Sequence, residues 1–238
     1  MQKWSGEGMN FLITGANRGL GFTLTEAALK KGHHVYATKR TSDGKLSTLK
    51  EQYGNQLTIV TLDVQDEASI KKAAEQMKQN NETLDVIVNN AAILNERDKS
   101  IEQLDIDESA LALDINVLGP MRIVKHFLPL IEKRDTASIV NISSDAGRLT
   151  NAYAGDYPYG ISQAALNMFS EKLQAYLKEE GVQILSIHPG WMRTDMGGEA
   201  AALDPVESAE KIINLALGGK RIKSTFTYMD RDGNPMDI

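Results

Sequence analysis

Short apolar runs alternate along the chain with longer stretches of helical spacing. Seven runs are mostly rich in β-branched residues and bounded by polar or turn residues, which predicts buried strands. They span 11–14, 34–38, 57–62, 86–88, 138–142, 183–187 and 225–228. Four of the segments between them carry apolar residues at helical spacing: 67–80, 109–132, 160–180 and 206–217. The alternation predicts an α/β domain in which a doubly wound parallel sheet of about seven strands has helices on both faces.

Composition narrows the class of protein. The 238 residues suit one domain, 1–238, and Met9 directly precedes the first apolar run, so residues 1–8 are interpreted as a flexible extension. The net charge of −6 gives no electrostatic reason to expect nucleic acid or an anionic membrane as a partner. No apolar run approaches the roughly 20 residues of a membrane helix. The start of the chain lacks the basic-then-apolar pattern of a secretory signal, so we expect a cytoplasmic protein.

A glycine-rich turn follows the first predicted strand. The stretch Thr14-Gly-Ala-Asn-Arg-Gly-Leu-Gly21 leads into a helix predicted to run to about Lys31. Its glycines let the backbone approach a ligand closely, and a helix N-terminus offers free N–H groups and partial positive charge to a pyrophosphate. The spacing Gly-x3-Gly-x-Gly differs from the commoner Gly-x-Gly-x-x-Gly. On this motif alone, a glycine turn without a ligand stays open.

Basic side chains follow the second predicted strand. Lys39 and Arg40 stand where an NAD site usually has an acidic residue for the ribose hydroxyls, and Arg18 lies in the glycine turn. Such side chains suit a 2′-phosphate through charge-assisted hydrogen bonds. The cluster therefore favours NADP over NAD as the cofactor, with a solvated basic surface as the alternative.

The motifs resemble those of the short-chain dehydrogenase/reductase family from Thr14 to about Pro235. Asn89-Asn-Ala-Ala92 is similar to the family's Asn-Asn-Ala-Gly, and Tyr159-Gly-Ile-Ser-Gln163 to its Tyr-x3-Lys. Segment 188–198 is most similar to the small carbonyl reductases of the C-factor and sniffer type. The resemblance implies a Rossmann-type domain that transfers hydride between NADP and a small-molecule carbonyl or alcohol substrate. Together with the glycine turn, it assigns the cofactor contacts to Gly15, Asn17, Arg18, Gly19, Leu20, Gly21, Lys39, Arg40, Asp63, Val64, Asn90, Ala91, Tyr159, Gln163, Pro189, Gly190, Met192 and Thr194.

The same resemblance implies a catalytic set of four residues, Asn116, Ser144, Tyr159 and Gln163. Reducing a carbonyl group requires a hydride at carbon and a proton at oxygen. Tyr159 would donate the proton, and Ser144 would hold the carbonyl oxygen by a hydrogen bond. From the residues alone, Ser144 is better explained as a hydroxyl that caps a turn. Tyr159 is then better explained as a core tyrosine, with Tyr153 and Tyr157 as neighbouring candidates.

Gln163 is the departure from the family pattern. Residues i and i+4 lie on one helix face, so the Gln163 amide is expected to point the same way as the family's lysine and to bind a ribose hydroxyl. It supplies no charge to lower the pKa of Tyr159. An ordinary tyrosine has a pKa of about 10, so the neutral phenol that reduction needs is abundant, whereas the phenolate that oxidation needs is scarce. The sequence therefore predicts a weak enzyme that is biased toward reduction.

Two rival functions remain at this point. Gln163 also fits a catalytically impaired protein that binds NADP as a sensor or interaction partner. A serine hydrolase using Ser144 and His188 is disfavoured because no Gly-x-Ser-x-Gly turn surrounds the serine. No metal site is predicted, since none of the four histidines stands at ligand spacing with carboxylates.

The substrate pocket and the oligomeric state are inferred from the family resemblance. In the family, the segment after Gly190 builds a lid over the substrate; here it is short, which suggests an open pocket for small apolar carbonyl compounds. Trp191 and Met196 fit substrate contact and core packing equally well. Relatives pair helices equivalent to 109–132 and 160–180, so the resemblance implies a homodimer or homotetramer. The apolar face expected to be exposed contains Leu166, Phe169, Leu173 and Tyr176.

Overall fold

The computed structural model describes residues 8–218 and 224–238, and its backbone follows the predicted alternation of strands and helices. Residues 1–7, most of the predicted N-terminal extension, lie outside the described residues, whereas Met9 is buried. The strands are β1 (Asn10–Ile13), β2 (His34–Lys39), β3 (Leu57–Thr61), β4 (Val86–Asn89), β5 (Ser138–Ile142), β6 (Gln183–His188) and β7 (Tyr228–Asp230). The α-helices are α1 (Gly19–Lys30), α2 (Leu46–Tyr53), α3 (Glu67–Gln79), α4 (Ile106–Leu113), α5 (Gly119–Phe127), α6 (Tyr157–Tyr176) and α7 (Pro205–Ala216).

All seven strands pair in parallel in the order β3-β2-β1-β4-β5-β6-β7. Successive side chains of a strand point to opposite faces. Phe11 and Ile13 accordingly join the apolar core beneath α1 and α7, whereas Leu12 joins the core on the other face with α3 and α5. The predicted doubly wound sheet with helices on both faces is confirmed. The strand order reverses direction between β1 and β4, which is where such sheets bind ligands.

Two predicted elements were wrong in their bounds. The last strand begins at Tyr228, because the N–H and hydroxyl of Thr227 both donate to the Glu171 carboxylate, so that N–H is not available to the sheet. The helix predicted over 109–132 is broken: α4 ends at Leu113, a π-helical turn spans Asp114–Leu118, and α5 follows. Helix α2 carried no prediction, since it buries only Leu46 and Leu49.

The apolar face expected on the 160–180 helix points mostly inward. Leu166 and Leu173 are buried, because this side of α6 packs on the sheet and on α4 rather than facing solvent. Phe169 is partly buried, and Tyr176 is exposed. In the described part of the chain, no helix is both long and apolar enough to cross a membrane.

Candidate active site

A cavity of about 880 Å³ runs along the carboxyl ends of the strands. It extends from the glycine turn after β1 and the end of β2 to the loops after β4, β5 and β6. Eighteen of the residues assigned from the sequence line it: Gly15, Asn17, Arg18, Gly19, Leu20, Gly21, Lys39, Arg40, Asp63, Val64, Asn90, Ala91, Ser144, Tyr159, Pro189, Gly190, Met192 and Thr194. The two others, Asn116 and Gln163, are buried beside the cavity and do not line it. The fold thus brings together residues that are up to 179 positions apart in the chain.

The glycine turn is held by side chains and has no room for larger residues. Asn90 donates from its amide to the carbonyl oxygens of Thr14 and Gly15, at 2.9 and 3.2 Å, and the Thr14 hydroxyl accepts the N–H of Asn90. Gly15 has φ +62°, a conformation that favours glycine. A Cβ on Gly21 would lie 2.2 Å from the Gly15 carbonyl oxygen. The turn therefore requires glycine at both positions.

The N-terminus of α1 is open toward the cavity. No side chain caps the helix, and its first turn contains no acidic residue. The first N–H groups of a helix have no partner within the helix, and they attract anions. Leu20 and Gly21 of this first turn line the cavity. A pyrophosphate fits such a cradle of glycine backbone and uncapped N–H groups.

Three cations line the same end of the cavity. Arg18 pairs with Asp195 at 3.0 Å, and both side chains are about three-quarters exposed (72% and 73%). Lys39 is bound to Asp43 at 2.5 Å and to the Thr41 carbonyl oxygen. Arg40 is exposed. The basic residues are therefore present, although two of them already have partners.

Asp63 and Val64 lie where β3 ends and complete the wall of this end. The Asp63 carboxylate accepts the N–H of Gln65, which forms a tight turn. Val64 contacts α5, because a Cβ on Gly119 would lie only 3.1 Å from its Cβ. These contacts fix the loop after β3 at the mouth of the cavity.

Tyr159 lies in the first turns of α6 with its hydroxyl between two polar side chains. It hydrogen-bonds with the Ser144 hydroxyl, and the amide nitrogen of Gln163 donates to the Tyr159 oxygen at 3.3 Å. Burial raises the pKa of Tyr159, and the bonds from Ser144 and Gln163 act in the opposite direction. The group is therefore a neutral phenol at physiological pH, which makes it an acid rather than a base.

Gln163 is 1% exposed, and its amide oxygen has no hydrogen-bond partner in the described chain. It belongs to a buried polar layer between α6 and the sheet, which we call the polar seam. The seam consists of Asn89, Asn141, Ser143 and Ser186 on the strand ends and Gln163, Asn167 and Ser170 on α6. The expected contact of Gln163 with a ribose hydroxyl stays a prediction, and its orphaned oxygen is the atom that would accept it.

Asn116 occupies the π-helical turn between α4 and α5. Its amide oxygen accepts the N–H of Ile93 at 2.8 Å, and its nitrogen donates to the Ile93 carbonyl and to the Ser162 hydroxyl. A single π turn inserted in a helix is common at functional sites. Here it directs a buried amide at the loop after β4, so Asn116 supports the cavity wall from behind.

The segment after β6, residues 191–198, covers part of the cavity and is called the lid. Trp191 is 57% exposed and Met196 is 37% exposed, and both line the cavity, so neither is a core residue. The indole N–H of Trp191 donates to the Gly197 carbonyl, and Thr194 accepts the Gly197 N–H. The lid is therefore braced by its own hydrogen bonds and presents Trp191 and Met196 to the cavity, whereas Met192 packs in the core.

Three residues at the lid end received no site role from the sequence, except that Tyr153 was a neighbouring candidate to Tyr159. Arg97, Tyr153 and Asp156 line the cavity near Tyr159. Burial and the neighbouring Asp156 raise the pKa of Tyr153 to about 12. All three lie on irregular loops, where neither strand nor helix periodicity marks a residue as functional.

The alternative of a serine hydrolase receives no support from the geometry. His188 accepts the N–H of Asp145 through Nδ1, and Ser144 bonds with Tyr159 and accepts the N–H of Ala146. Burial lowers the pKa of His188. Among the described residues, no group of three or more metal-binding side chains is clustered closely enough to hold an ion.

Comparison with known proteins places the chain in a family. The model of the family described as short chain dehydrogenase matches residues 10–204. The chain belongs to the short-chain dehydrogenase family. It is 31% identical over 221 residues to an NADPH-dependent pterin aldehyde reductase of Arabidopsis thaliana, covering 87% of this chain and 88% of that protein.

Solved structures agree with this assignment. The carbonyl reductase Sniffer of D. melanogaster superposes with a TM-score of 0.89 at 28% identity, over 98% of this chain and all of the other. The NADPH-bound carbonyl reductase from chicken fatty liver gives a TM-score of 0.86 at 28% identity, with the same coverage. The chain is thus an oxidoreductase of the short-chain dehydrogenase family and of the carbonyl-reductase type, and the predicted family and Rossmann-type fold are confirmed.

Proposed function

We propose that the protein reduces a carbonyl group of a small molecule with NADPH, with Tyr159 as the proton donor. The observation that carries the proposal is the position of the Tyr159 hydroxyl. It lies at the cavity, bonded to Ser144, and burial keeps it protonated. A neutral phenol with a hydroxyl neighbour is the arrangement that carbonyl reduction requires.

The cofactor would be held at the glycine-turn end. The uncapped N-terminus of α1 and the glycine backbone suit the pyrophosphate. The residues that end and follow β2, Lys39 and Arg40, are cations, and the nearby Asp43 carboxylate is paired with Lys39 and does not line the cavity, which favours NADP over NAD. Arg18, Lys39 and Arg40 supply positive charge for a 2′-phosphate. By family resemblance, Asp63 would contact the adenine, and Pro189, Gly190 and Thr194 would hold the nicotinamide carboxamide. Val64 and Met192 are further expected cofactor contacts. The names of two similar proteins, both NADPH reductases, support the same choice of cofactor.

When bound, the nicotinamide supplies the hydride. Ser144 then donates a hydrogen bond to the substrate oxygen, and Tyr159 transfers its proton to that oxygen as the carbonyl carbon becomes an alcohol carbon. The phenolate left on Tyr159 is stabilised by the amide N–H of Gln163, which donates to the phenolic oxygen. An amide dipole stabilises this charge less than a lysine ammonium would. The enzyme is therefore weak in both directions and weakest in alcohol oxidation, which begins from the phenolate.

The absent charge at position 163 also favours a second candidate, a protein that binds NADPH without turnover. The two candidates are separated by calorimetric titration with NADPH and NADH, followed by turnover of a panel of aldehydes and 1,2-diketones. Wild type, Gln163→Lys and Tyr159→Phe are compared. Under the first candidate, wild type turns over, Gln163→Lys raises alcohol oxidation at pH 7 by about 10-fold or more, and Tyr159→Phe loses activity but still binds NADPH.

Three other outcomes would favour the second candidate or contradict the proposal. Binding of NADPH without turnover in wild type, rescued in Gln163→Lys, would establish the second candidate. Equal rates of reduction and oxidation at pH 7 on a near-equilibrium couple would contradict the bias toward reduction. Binding of neither cofactor would overturn both candidates.

We also propose that the protein is a homodimer or a homotetramer built on α5 and α6. A shallow groove of about 430 Å³ separates these helices, and Leu118, Met121 and Tyr176 at its edge are exposed. Large apolar side chains clustered on a helix surface commonly mark a protein interface. Light scattering of wild type and of Met121→Glu tests this proposal, and a monomeric wild type would refute it.

A further inference from the structure

Arg97 is set apart from the other cations of the cavity by its position. Among the described residues, four cationic side chains line the cavity, and Arg18, Lys39 and Arg40 lie at its glycine-turn end. Arg97 lies in the loop after β4 and donates to Met196 of the lid, next to Asp195, which pairs with Arg18. Tyr159, Trp191 and Met196 line the same cavity, so Arg97 is the cation of the loop that faces a substrate of the proposed reductase.

The hydrogen-bonding capacity of Arg97 is only partly used. Its Nη2 donates to the Met196 carbonyl oxygen at 2.8 Å, and its Nε lies 3.9 Å from Oδ1 of Asp156. Within the described chain its Nη1 has no hydrogen-bond partner, and its side chain is 46% exposed. A guanidinium has five donors and binds a carboxylate best through two parallel bonds. Asp156 does not bind in that way, so Arg97 retains donors for a ligand.

The nearby carboxylates have other partners, and Asp156 is shared with Arg97. Oδ2 of Asp156 accepts the Tyr153 hydroxyl at 2.9 Å, whereas its buried Oδ1 has no hydrogen-bond partner within the described chain and lies 3.9 Å from Nε of Arg97. Asp145 accepts from Arg148 at 3.1 Å and from Asn151. The charge of Arg97 also reaches the reaction centre, where it lowers the pKa of Tyr159 against the opposing effect of Asp156. Arg97, Asp156 and Tyr159 line the same cavity, so the guanidinium is placed to bind a group attached to the reacting carbonyl compound.

The backbone next to Arg97 and at Asp156 has an unusual conformation. Glu96, directly before Arg97, has φ +53°, and Asp156 has φ +46°, which are left-handed conformations that non-glycine residues seldom adopt. The Glu96 carboxylate accepts the N–H of Asp105 at 2.9 Å and so anchors the loop. Strained residues persist where the surrounding structure holds them, and they cluster at ligand sites.

We propose that Arg97 binds the carboxylate of an oxo acid and sets the substrate class of the enzyme. The substrates are then small carbonyl compounds that carry a carboxylate a few bonds from the carbonyl carbon. Leu94, Trp191 and Met196 line the wall and contact the carbon chain between the two groups. This assignment rests on the proposed reductase function, because it assumes that the carbonyl group of the substrate binds next to Tyr159.

The test compares each acid with its own neutral ester. The probes are 4-oxopentanoate with methyl 4-oxopentanoate and 3-oxobutanoate with its methyl ester, reduced with NADPH at constant ionic strength. Wild type is expected to show a kcat/KM at least about 10-fold higher for one of the acids. Arg97→Met should lose about 10- to 100-fold on that acid and less than about 3-fold on the ester, the size expected for a charge-assisted hydrogen bond. Arg97→Lys should retain part of the preference.

Lys99→Met is the matched control. Lys99 is exposed, lies two residues further along the same loop and does not line the cavity, so the variant changes the net charge equally. Its acid-to-ester ratio should equal that of wild type. An ester preferred over both acids in wild type, or an equal loss on acid and ester in Arg97→Met, would overturn the proposal and leave Arg97 as an anchor of the lid.

Calorimetric binding separates this proposal from the proposed reductase function. If none of the acids and esters is reduced, the reductase proposal fails for these compounds. Binding of the acids to the NADPH-loaded protein still decides the role of Arg97. Binding of an acid that is at least about 10-fold tighter than its ester and is lost in Arg97→Met supports the site. Equal binding of acid and ester refutes it. Thermal unfolding shows that each variant is folded.

Discussion

The two ends of the cavity are built in different ways. At the glycine-turn end, the backbone forms the surface: Gly21 leaves no space for a Cβ, Gly15 has a positive φ, and the Asn90 side chain bonds the turn directly. At the lid end, long side chains from loops form the surface, and Arg97 links the lid to Asp156. A backbone surface tolerates almost no substitution, whereas a side-chain surface changes its specificity with single substitutions. The glycine-turn end, where we propose that the cofactor binds, should therefore tolerate few substitutions, whereas the lid end should tolerate many.

Substituting Gly21 should produce the largest effect. In Gly21→Ala, the new methyl group would lie 2.2 Å from the Gly15 carbonyl oxygen and 2.5 Å from the Asn90 amide, so the turn must move. We expect NADPH binding to fall below detection and the free energy of unfolding to fall by about 1–3 kcal/mol. Calorimetry and denaturant unfolding measure the two quantities.

Gly32→Ala provides the control for that variant. Gly32 also has a positive φ, +85°, but nothing lies within 4 Å of its would-be Cβ, and it does not line the cavity. It should cost about 1–2 kcal/mol of stability and leave NADPH binding unchanged. If Gly21→Ala bound NADPH as well as Gly32→Ala does, the rigid-backbone account of the cofactor end would be wrong.

The pH dependence of the two directions should give the next largest effect. Because burial raises the pKa of Tyr159 above its ordinary value near 10, the phenol stays protonated through pH 6–9 and the reduction rate should be flat there. Oxidation needs the phenolate, whose fraction increases about 10-fold per pH unit below the pKa. The oxidation rate should therefore increase about 1,000-fold from pH 6 to pH 9.

Initial rates for one alcohol–carbonyl couple in both directions test this prediction. Tyr159→Phe should remove the pH dependence of whatever oxidation remains. A reduction rate that decreases with a midpoint below pH 9 would show that the pKa is lowered, contrary to the prediction.

Substituting Asp195 should produce the smallest effect. The pair of Asp195 with Arg18 is exposed, and exposed pairs contribute little in water. In Asp195→Asn, Arg18 is free for a cofactor phosphate and a repelling charge is removed. We expect NADPH to bind about 2- to 5-fold tighter at low salt, with no difference in 1 M salt, where charges are screened within about 3 Å. Unchanged affinity at low salt would mean that Arg18 does not contact the phosphate.

The sequence predicted the cofactor end far better than the lid end. Apolar runs marked β1, β2 and β4, and turn residues directly after them identified the glycine turn and Asn90. Glycine at Gly15 and Gly21 has a steric cause that leaves a visible pattern in the chain. Arg97, Tyr153 and Asp156 leave no such pattern, because a loop residue reaches the cavity through tertiary contacts rather than through periodicity.

Two further predictions were wrong for the same reason, because local patterns do not show tertiary contacts. The helix break at Asn116 depends on its bonds to Ile93, which is 23 residues away, so helical spacing alone predicted a continuous helix. The orientation of α6 was also misjudged, since an amphipathic pattern shows that a helix has an apolar face but not which surface covers it. Leu166 and Leu173 proved to be core residues.

The buried amide of Gln163 also has an evolutionary consequence. Codons for glutamine and lysine differ only in their first base, so one point mutation converts either residue into the other. A lysine at this position would bring an ammonium group into the polar seam, where Gln163 is almost completely enclosed and no carboxylate belongs to the seam. The exchange of Gln163 for lysine is thus a short mutational step that carries an electrostatic penalty when the cavity is empty. That mutation would spread through a population under selection for faster alcohol oxidation, provided that the cofactor is bound most of the time.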